Sequence, residues 1–316
     1  MGLIMIVPVL VLVLLILLVV FILARFCYRR AFYSANKPLT QEYPIPEGQV
    51  YEPHRDVMVA WMKEVRAMEY EEVSITSFDG LTLRGKIYRC NSNGALELMF
   101  HGYRGNSERD LCGGVQRAFA LGHNVLMVDQ RGCGSSDGHV ITFGINESRD
   151  CLDWIHFAIR HFGPDMKIIL TGISMGATTV VITAGQTLPK QVIGVLADCG
   201  FTTAREMIQK TIREMKLPAG PAWPFVKLGA KWFGHFNLEE TTALEAVKHC
   251  TVPAIFFHGE ADDFVPCDMS RRLFRECPTR KALVTVPGAG HGLSYLIQPE
   301  RYIQALGDFF GPLEQA

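Results

Sequence analysis

The stretch that constrains this chain most is Gly172-Ile173-Ser174-Met175-Gly176. It follows the apolar run Lys167–Thr171 and precedes Ala177–Ala184, a segment of small and β-branched residues. The order reads as a buried strand, a tight turn and a buried helix. Glycines flank such a turn because a Cβ there would strike the neighbouring strand or helix. The tip lifts the Ser174 hydroxyl clear of the sheet. It also puts the Met175 N–H at a helix N-terminus, where unpaired donors and the helix dipole favour an anion.

Apolar runs of strand length recur on both sides of this turn. Val73–Phe78 and Leu81–Tyr88 alternate in polarity and are joined by Asp79-Gly80, which predicts a β-hairpin. Ala95–Phe100, Asn124–Val128, Val192–Ala197, Ala254–Phe257 and Ala282–Val286 read as strands, with helical segments at Gly114–Leu121 and Asn146–His161. Near-continuous apolar strands alternating with helices predict an α/β domain over 72–316. Its mostly parallel sheet has about eight strands, covered by helices on both faces. The segment 203–249 breaks this rhythm with three prolines and five aromatic residues, Trp223, Phe225, Trp232, Phe233 and Phe236. It is expected to form a helical cap whose aromatic side chains line an apolar pocket over the strand ends.

Leu3–Ala24 is apolar throughout, and at 1.5 Å per residue it is long enough for the roughly 30 Å core of a bilayer. No Lys or Arg precedes it, and Arg25, Phe26, Cys27, Tyr28, Arg29 and Arg30 follow it, unlike the small-residue cleavage site of a signal peptide. Residues 1–30 therefore read as a retained single-pass transmembrane anchor. The basic cluster at Arg25, Arg29, Arg30 and Lys37 predicts a cell-membrane protein with its catalytic domain on the cytoplasmic side. Nine cysteines without C-x-x-C spacing fit free thiols in a reducing compartment. Residues 31–71 are read as a Pro-rich linker, Asn36–Pro53, followed by an amphipathic helix, Arg55–Tyr70. The domain beyond residue 35 is expected to fold and act without the anchor. With 31 basic and 32 acidic residues, the charge balance gives no reason to expect a nucleic-acid partner.

A serine hydroxyl needs a base to take its proton, and that base is best a histidine oriented by a carboxylate. The chain offers both after the serine, in loops that follow strands. One loop is His258-Gly259-Glu260-Ala261-Asp262-Asp263-Phe264-Val265-Pro266, and the other is Gly288-Ala289-Gly290-His291-Gly292. Two adjacent aspartates compete for the role of the acid. The oxyanion of an acyl-transfer intermediate needs a second donor beside Met175 N–H, expected from the loop after His101-Gly102. No metal-ligand spacing and no cofactor motif occurs in the sequence, so the chemistry is expected to run without either. Other histidines, among them His101 and His123, read as packing or surface residues, and Arg104 as a solvated loop residue.

Five ordered motifs carry a resemblance: His101-Gly102; Asp129-Gln-Arg131-Gly132-Cys-Gly134-Ser-Ser-Asp-Gly138; the Gly172–Gly176 turn; His258-Gly259-x-x-Asp262-x-x-Val265-Pro266; and Gly290-His291-Gly292. From Val73 onward the chain resembles the α/β-hydrolases, and within them membrane-anchored bacterial hydrolases related to the serine aminopeptidase and monoacylglycerol lipase branch. The resemblance implies a catalytic triad of Ser174, Asp262 and His291, with Asp263 an ordinary loop residue that caps the next helix. It implies an oxyanion hole from the backbone N–H groups of Tyr103 and Met175, and Asp129 and Arg131 as parts of a structural turn. The expected activity is hydrolysis of a small-molecule carboxylic ester with an apolar acyl or alcohol part through an acyl-enzyme. A peptidase of the same fold is an alternative, with Glu206, Glu214, Glu239 or Glu240 holding a peptide terminus. A catalytically inactive, membrane-tethered binding protein is the other.

Overall fold

The computed structural model describes residues 2–35 and 42–315. The first part of the expected linker, 36–41, and Lys37 of the basic cluster lie outside the described residues. The chain begins with α1 (Gly2–Ala31), the long apolar helix, whose residues from Ile6 to Leu23 face outward over most of their length. The next α-helix, α2 (Arg55–Ala67), is entered through turns and a short 3-10 helix at Glu52–His54. It lies on the body of the domain, with Met62 and Val65 buried and Trp61 stacked on Tyr295.

An antiparallel hairpin follows, β1 (Glu71–Thr76) and β2 (Thr82–Tyr88), with Thr76 opposite Thr82. The connection is wider than a two-residue Asp-Gly turn. The Ser77 hydroxyl donates to Asp79 Oδ1 at 2.6 Å and accepts from the Leu81 N–H at 2.9 Å, so side-chain hydrogen bonds hold Phe78 and Leu81 out of the strands. Next come β3 (Leu96–Phe100), α3 (Ser107–Ala120), β4 (Asn124–Val128), α4 (Ile145–Phe162), β5 (Ile168–Ile173) and α5 (Met175–Ala184). The helix α3 begins seven residues before its predicted start, because the Asn106 side chain caps it by accepting from the Arg109 N–H at 2.9 Å. After β6 (Val192–Asp198) the chain enters the cap helices α6 (Ala204–Glu214) and α7 (Ala219–Phe233). It returns through α8 (Ala243–Ala246), β7 (Ala254–Gly259), α9 (Asp268–Glu276), β8 (Lys281–Val286), α10 (Ser294–Ile297) and α11 (Pro299–Gln315).

The eight strands make one sheet in the order β1-β2-β4-β3-β5-β6-β7-β8, parallel from β4 to β8. Side chains alternate across it. Leu98 and Phe100 face Trp154 and Ile155 of α4 and Val180 of α5, whereas Met99 and Met127 face α2 and α3. Strands buried on both faces account for the apolar runs in the sequence. Strand order reverses between β3 and β5, so the crevice beyond their C-terminal ends is where this topology places a ligand.

One strand interrupts its apolar run with a charge. Glu97 of β3 is buried, paired with Arg117 of α3 and accepting from Thr171 Oγ1 at 2.9 Å. His123 extends the cluster, with Nδ1 2.9 Å from Glu97 Oε1 and Nε2 2.9 Å from Glu314 Oε1. It is thus a bridge between β3, the β4 entry and α11, and not a packing residue. Burial lowers the His123 pKa, but its hydrogen bonds to Glu314 and Glu97 outweigh this and raise it from 6.5 to about 9. A raised folded-state pKa contributes stability that is complete below pH 6.5 and lost as pH rises through 9. The thermal midpoint should therefore fall between those pH values, by the equivalent of roughly 3 kcal/mol at most. His123→Gln should flatten that slope in a pH series of melts; an unchanged slope would overturn the assignment.

Candidate active site

Ser174 sits at the joint between β5 and α5 with φ +56° and ψ −117°, a left-handed backbone that non-glycine residues rarely adopt. Such strain costs on the order of 1–3 kcal/mol and persists only where the surroundings enforce it. Here the enforcing contacts are backbone approaches. A Cβ on Gly172 would fall 2.2 Å from the carbonyl carbon of Gly176, and one on Gly176 would fall 2.0 Å from the carbonyl oxygen of Phe100. The turn is therefore wedged between β5, α5 and the end of β3. Its serine is held from the next strand, with Ser174 N–H donating to Asp198 O at 2.8 Å.

His291, from the loop after β8, brings Nε2 to 2.9 Å from Ser174 Oγ. Its Nδ1 lies 2.7 Å from Asp262 Oδ2, in the loop after β7. The residues 174, 262 and 291 named from sequence are thus one hydrogen-bonded chain. Asp262 is buried, and Oδ1 accepts from the Phe264 and Val265 N–H groups at 3.0 and 2.8 Å. Burial alone would raise its pKa; hydrogen bonds with His258 and His291, and the charge of His291, hold it down at about 2. Asp263 is exposed and makes no helix cap. Its carbonyl accepts from Lys210 Nζ at 2.7 Å, and α9 begins only at Asp268.

The donors of the expected oxyanion hole lie in two other turns, after β3 and at the joint of β5 and α5. The Met175 N–H opens α5, and the Tyr103 N–H lies in the turn after β3. Among the described residues neither donates to another group. A Cβ on Gly102 would be 3.5 Å from the Ser174 Cβ, which shows how closely this turn abuts the serine. Arg104 is exposed in the loop after β3, as expected, but its side chain is anchored. With φ +53°, it turns Nη2 back to donate to Arg30 O and Tyr33 O, both at 2.9 Å. The Tyr103 hydroxyl donates to Ala31 O at 2.8 Å.

A cavity of about 330 Å³ opens beside Ser174. Its walls come from the β3 turn (Tyr103), Phe143, Phe201, α6 (Met207, Ile208) and the end of α1. The five cap aromatics expected there line other surfaces. Phe233 packs on Phe21 and Tyr28 of α1, Phe236 packs edge-on to Phe32, and Trp223 is buried within the cap cluster. The reason is α1 itself. Gly229 of α7 lets the helices meet, since a Cβ there would fall 2.6 Å from Ala24 O. With Ala24 and Phe32 fully buried, the end of α1 is part of the domain. Residues 1–35, expected to be dispensable for a soluble and active domain, thus supply part of the cavity wall.

A family profile described as alpha/beta hydrolase fold matches residues 98–220. The uncharacterized protein YqkD of Bacillus subtilis is 28% identical over 190 residues, covering 60% of this chain and 62% of its own length. The chain thus spans less than two thirds of that relative. Protein bem46 of Schizosaccharomyces pombe is 25% identical over 252 residues, 77% of each chain. Among solved structures, an esterase of Pyrococcus furiosus superposes with a TM-score of 0.64 at 20% identity, over 85% of this chain and 96% of that one. The chain has the α/β-hydrolase fold.

Two residues around this α/β-hydrolase site escaped the sequence reading. His258 is fully buried, with Nε2 2.8 Å from Val265 O and 3.2 Å from Asp262 Oδ2, and Nδ1 2.7 Å from the Ser270 hydroxyl. Its i, i+4 spacing from Asp262 was the available signal. Phe264 covers the His291 ring edge-to-face at 5.1 Å, and nothing in its local sequence announces this. The donor atoms of Cys199, Asp262 and His291 fall within 4.8 Å of one another. Burial raises the Cys199 thiol well above its usual range, which makes it a poor nucleophile. Asp129 holds the turn it was assigned to, accepting from the Ser107 N–H at 2.8 Å and the Ser135 N–H at 2.9 Å. Arg131 pairs with Asp150 and Asp79. The wedge around Ser174 predicts that Gly172→Ala or Gly176→Ala destabilises the fold by about 3 kcal/mol or more. Denaturant melts would show it, and a loss below about 1 kcal/mol would mean that the turn has slack.

Proposed function

We propose that this protein is a serine hydrolase that cleaves carboxylic esters with an apolar acyl part. The observation that carries the reading is the continuous hydrogen-bonded chain from Ser174 Oγ through His291 to Asp262, 2.9 and 2.7 Å per link. His291 Nδ1–H faces the ionised Asp262, which leaves Nε2 to take the serine proton as Ser174 Oγ attacks the ester carbonyl. The Tyr103 and Met175 N–H groups receive the oxyanion. His291 then returns the proton to the leaving alcohol, and water repeats the sequence on the acyl-enzyme. No step calls for a metal or a cofactor. His258 is a positioning residue that fixes the carboxylate from its far side.

The cavity favours an ester over a peptide. An aminopeptidase needs a carboxylate for the substrate's ammonium group, yet among the described residues no Asp or Glu lines this cavity. Glu206 is engaged by Arg272, Glu214 by Lys210, Glu239 by Lys227 and Glu240 by Arg149. Both charged residues in the lining, Arg30 and Arg104, are basic. We assign α1 the role of a retained membrane anchor, with its basic flank placing the domain on the cytoplasmic side, because its last turns contribute to the cavity wall. A signal sequence would be lost along with that wall.

Fluorophosphonate labelling of the full-length protein tests the reading, with turnover of p-nitrophenyl butyrate beside an aminoacyl anilide. Labelling should vanish in Ser174→Ala. Ser174→Ala and His291→Ala should each lose turnover on the order of 10⁴-fold or more, Asp262→Asn somewhat less, and Asp263→Asn no more than about twofold. Labelling that survives Ser174→Ala would sink the proposal. Preference for the anilide would transfer the assignment to a peptidase, and absence of both turnover and labelling would favour the binding protein.

A further inference from the structure

The end of α1 is both the last part of the apolar helix and a wall of the cavity that holds Ser174. Phe26, Cys27, Arg30 and Ala31 fall on one helical face, at i, i+1, i+4 and i+5, and that face lines the cavity. The position is fixed by the Tyr103 and Arg104 hydrogen bonds to carbonyls 30, 31 and 33, and by the Gly229 contact with Ala24. Three residues at 1.5 Å each separate Phe26 from Leu23, where the run of mostly exposed apolar side chains ends. Arg25, Arg29 and Arg30 surround Phe26, the kind of basic flank that sits at the level of the lipid headgroups.

The opening of the cavity is apolar as well. Phe26, Met215, Leu217 and Phe264 line it and are 54%, 47%, 48% and 45% exposed. They come from α1, the loop between α6 and α7, and the loop after β7, so chain segments far apart in sequence gather them at one mouth. Four large, half-exposed apolar side chains around one opening are poorly placed in water and well placed against acyl chains. The mouth adjoins the headgroup end of a membrane span, and an apolar cavity leads from it to the nucleophile.

We propose that the cavity is loaded from the bilayer: its substrate is a membrane-resident ester whose long acyl chain enters beside the end of α1. This rests on the serine-hydrolase reading and on α1 as a span. Soluble esters would reach Ser174 through the same mouth without help from the membrane, so the two kinds of substrate separate under mutation of the mouth alone.

The test uses the full chain reconstituted in phosphatidylcholine vesicles. Two rates are compared, for 4-methylumbelliferyl oleate held in the vesicles and for soluble p-nitrophenyl acetate. The double variant Met215→Glu/Leu217→Glu places carboxylates in the acyl path at exposed positions. It should lower the ratio of the oleate rate to the acetate rate about tenfold or more. A ratio within about twofold of the wild type would overturn the proposal. A second measurement does not depend on turnover. In Ser174→Ala vesicles, a phosphatidylcholine with a diazirine at its acyl end should cross-link to the segments 26–31 and 215–217, and absence of adducts there would also overturn it. Adducts at those segments with no hydrolysis of either ester by the wild type would sink the hydrolase reading while leaving a lipid-filled cavity in place.

Discussion

The site depends on how closely α5 can approach the ends of β3 and β5. Gly172 and Gly176 remove the two Cβ atoms that would hold the helix away, and the carbonyl of Phe100 then lies against the helix start. That contact forces Ser174 into its left-handed conformation and turns the Met175 N–H toward the same crevice. Because β3 ends beside it, the Gly102-Tyr103 turn is carried to within contact of the serine. A looser joint would leave the imidazole of His291 facing a hydroxyl that points elsewhere. The energy stored at the joint is supplied by strands buried on both faces, whose register cannot slip without exposing them.

The carboxylate of Asp262 is arranged on a different logic. Asp262 is ionised in a buried place because donors surround it. Two backbone N–H groups reach one oxygen, while His291 and His258 reach the other. His258 leaves β7 four residues before Asp262, and its other nitrogen is occupied by Ser270. The orientation of the carboxylate is therefore set in part by His258 of β7 and by Ser270 of α9, outside the hydrogen-bonded chain of Ser174, His291 and Asp262. Glu97, Arg117 and His123 show the same principle on the far side of the sheet, where a buried charge cluster ties α3 and α11 to the central strands.

Most strands were legible because burial on both faces writes itself as an unbroken apolar run; β4 matches its predicted bounds, and the others differ by a few residues at their ends. Residues 174 and 291 were legible because each stands in a short motif after a strand, whereas Asp262 was separated from its neighbour Asp263 only by the family resemblance. What stayed hidden was contact between distant segments. Nothing local marks Glu97 as a tolerated interruption of β3, since its partners Arg117 and His123 lie 20 and 26 positions away. The start of α3 was masked by polar residues and by Gly113, which is required where α2 lays Trp61 across the helix. The cap aromatics read as pocket walls because the sequence does not say that another apolar helix will cover them. The anchoring of exposed Arg104 stayed hidden for the same reason, since its acceptors are carbonyls about seventy residues earlier.

The seat at Gly229 changes what kind of attachment α1 makes. A flexible leash would let the folded body sample many tilts and distances above a lipid surface. A helix locked into the body by backbone contact, by two ring-to-ring packings from Phe233 and by the hydrogen bonds of Arg104 behaves as a dowel. With α1 as a span, the azimuth and height of the body over the membrane are set by the polypeptide, so neighbouring molecules diffusing in the plane would meet along the same flank each time.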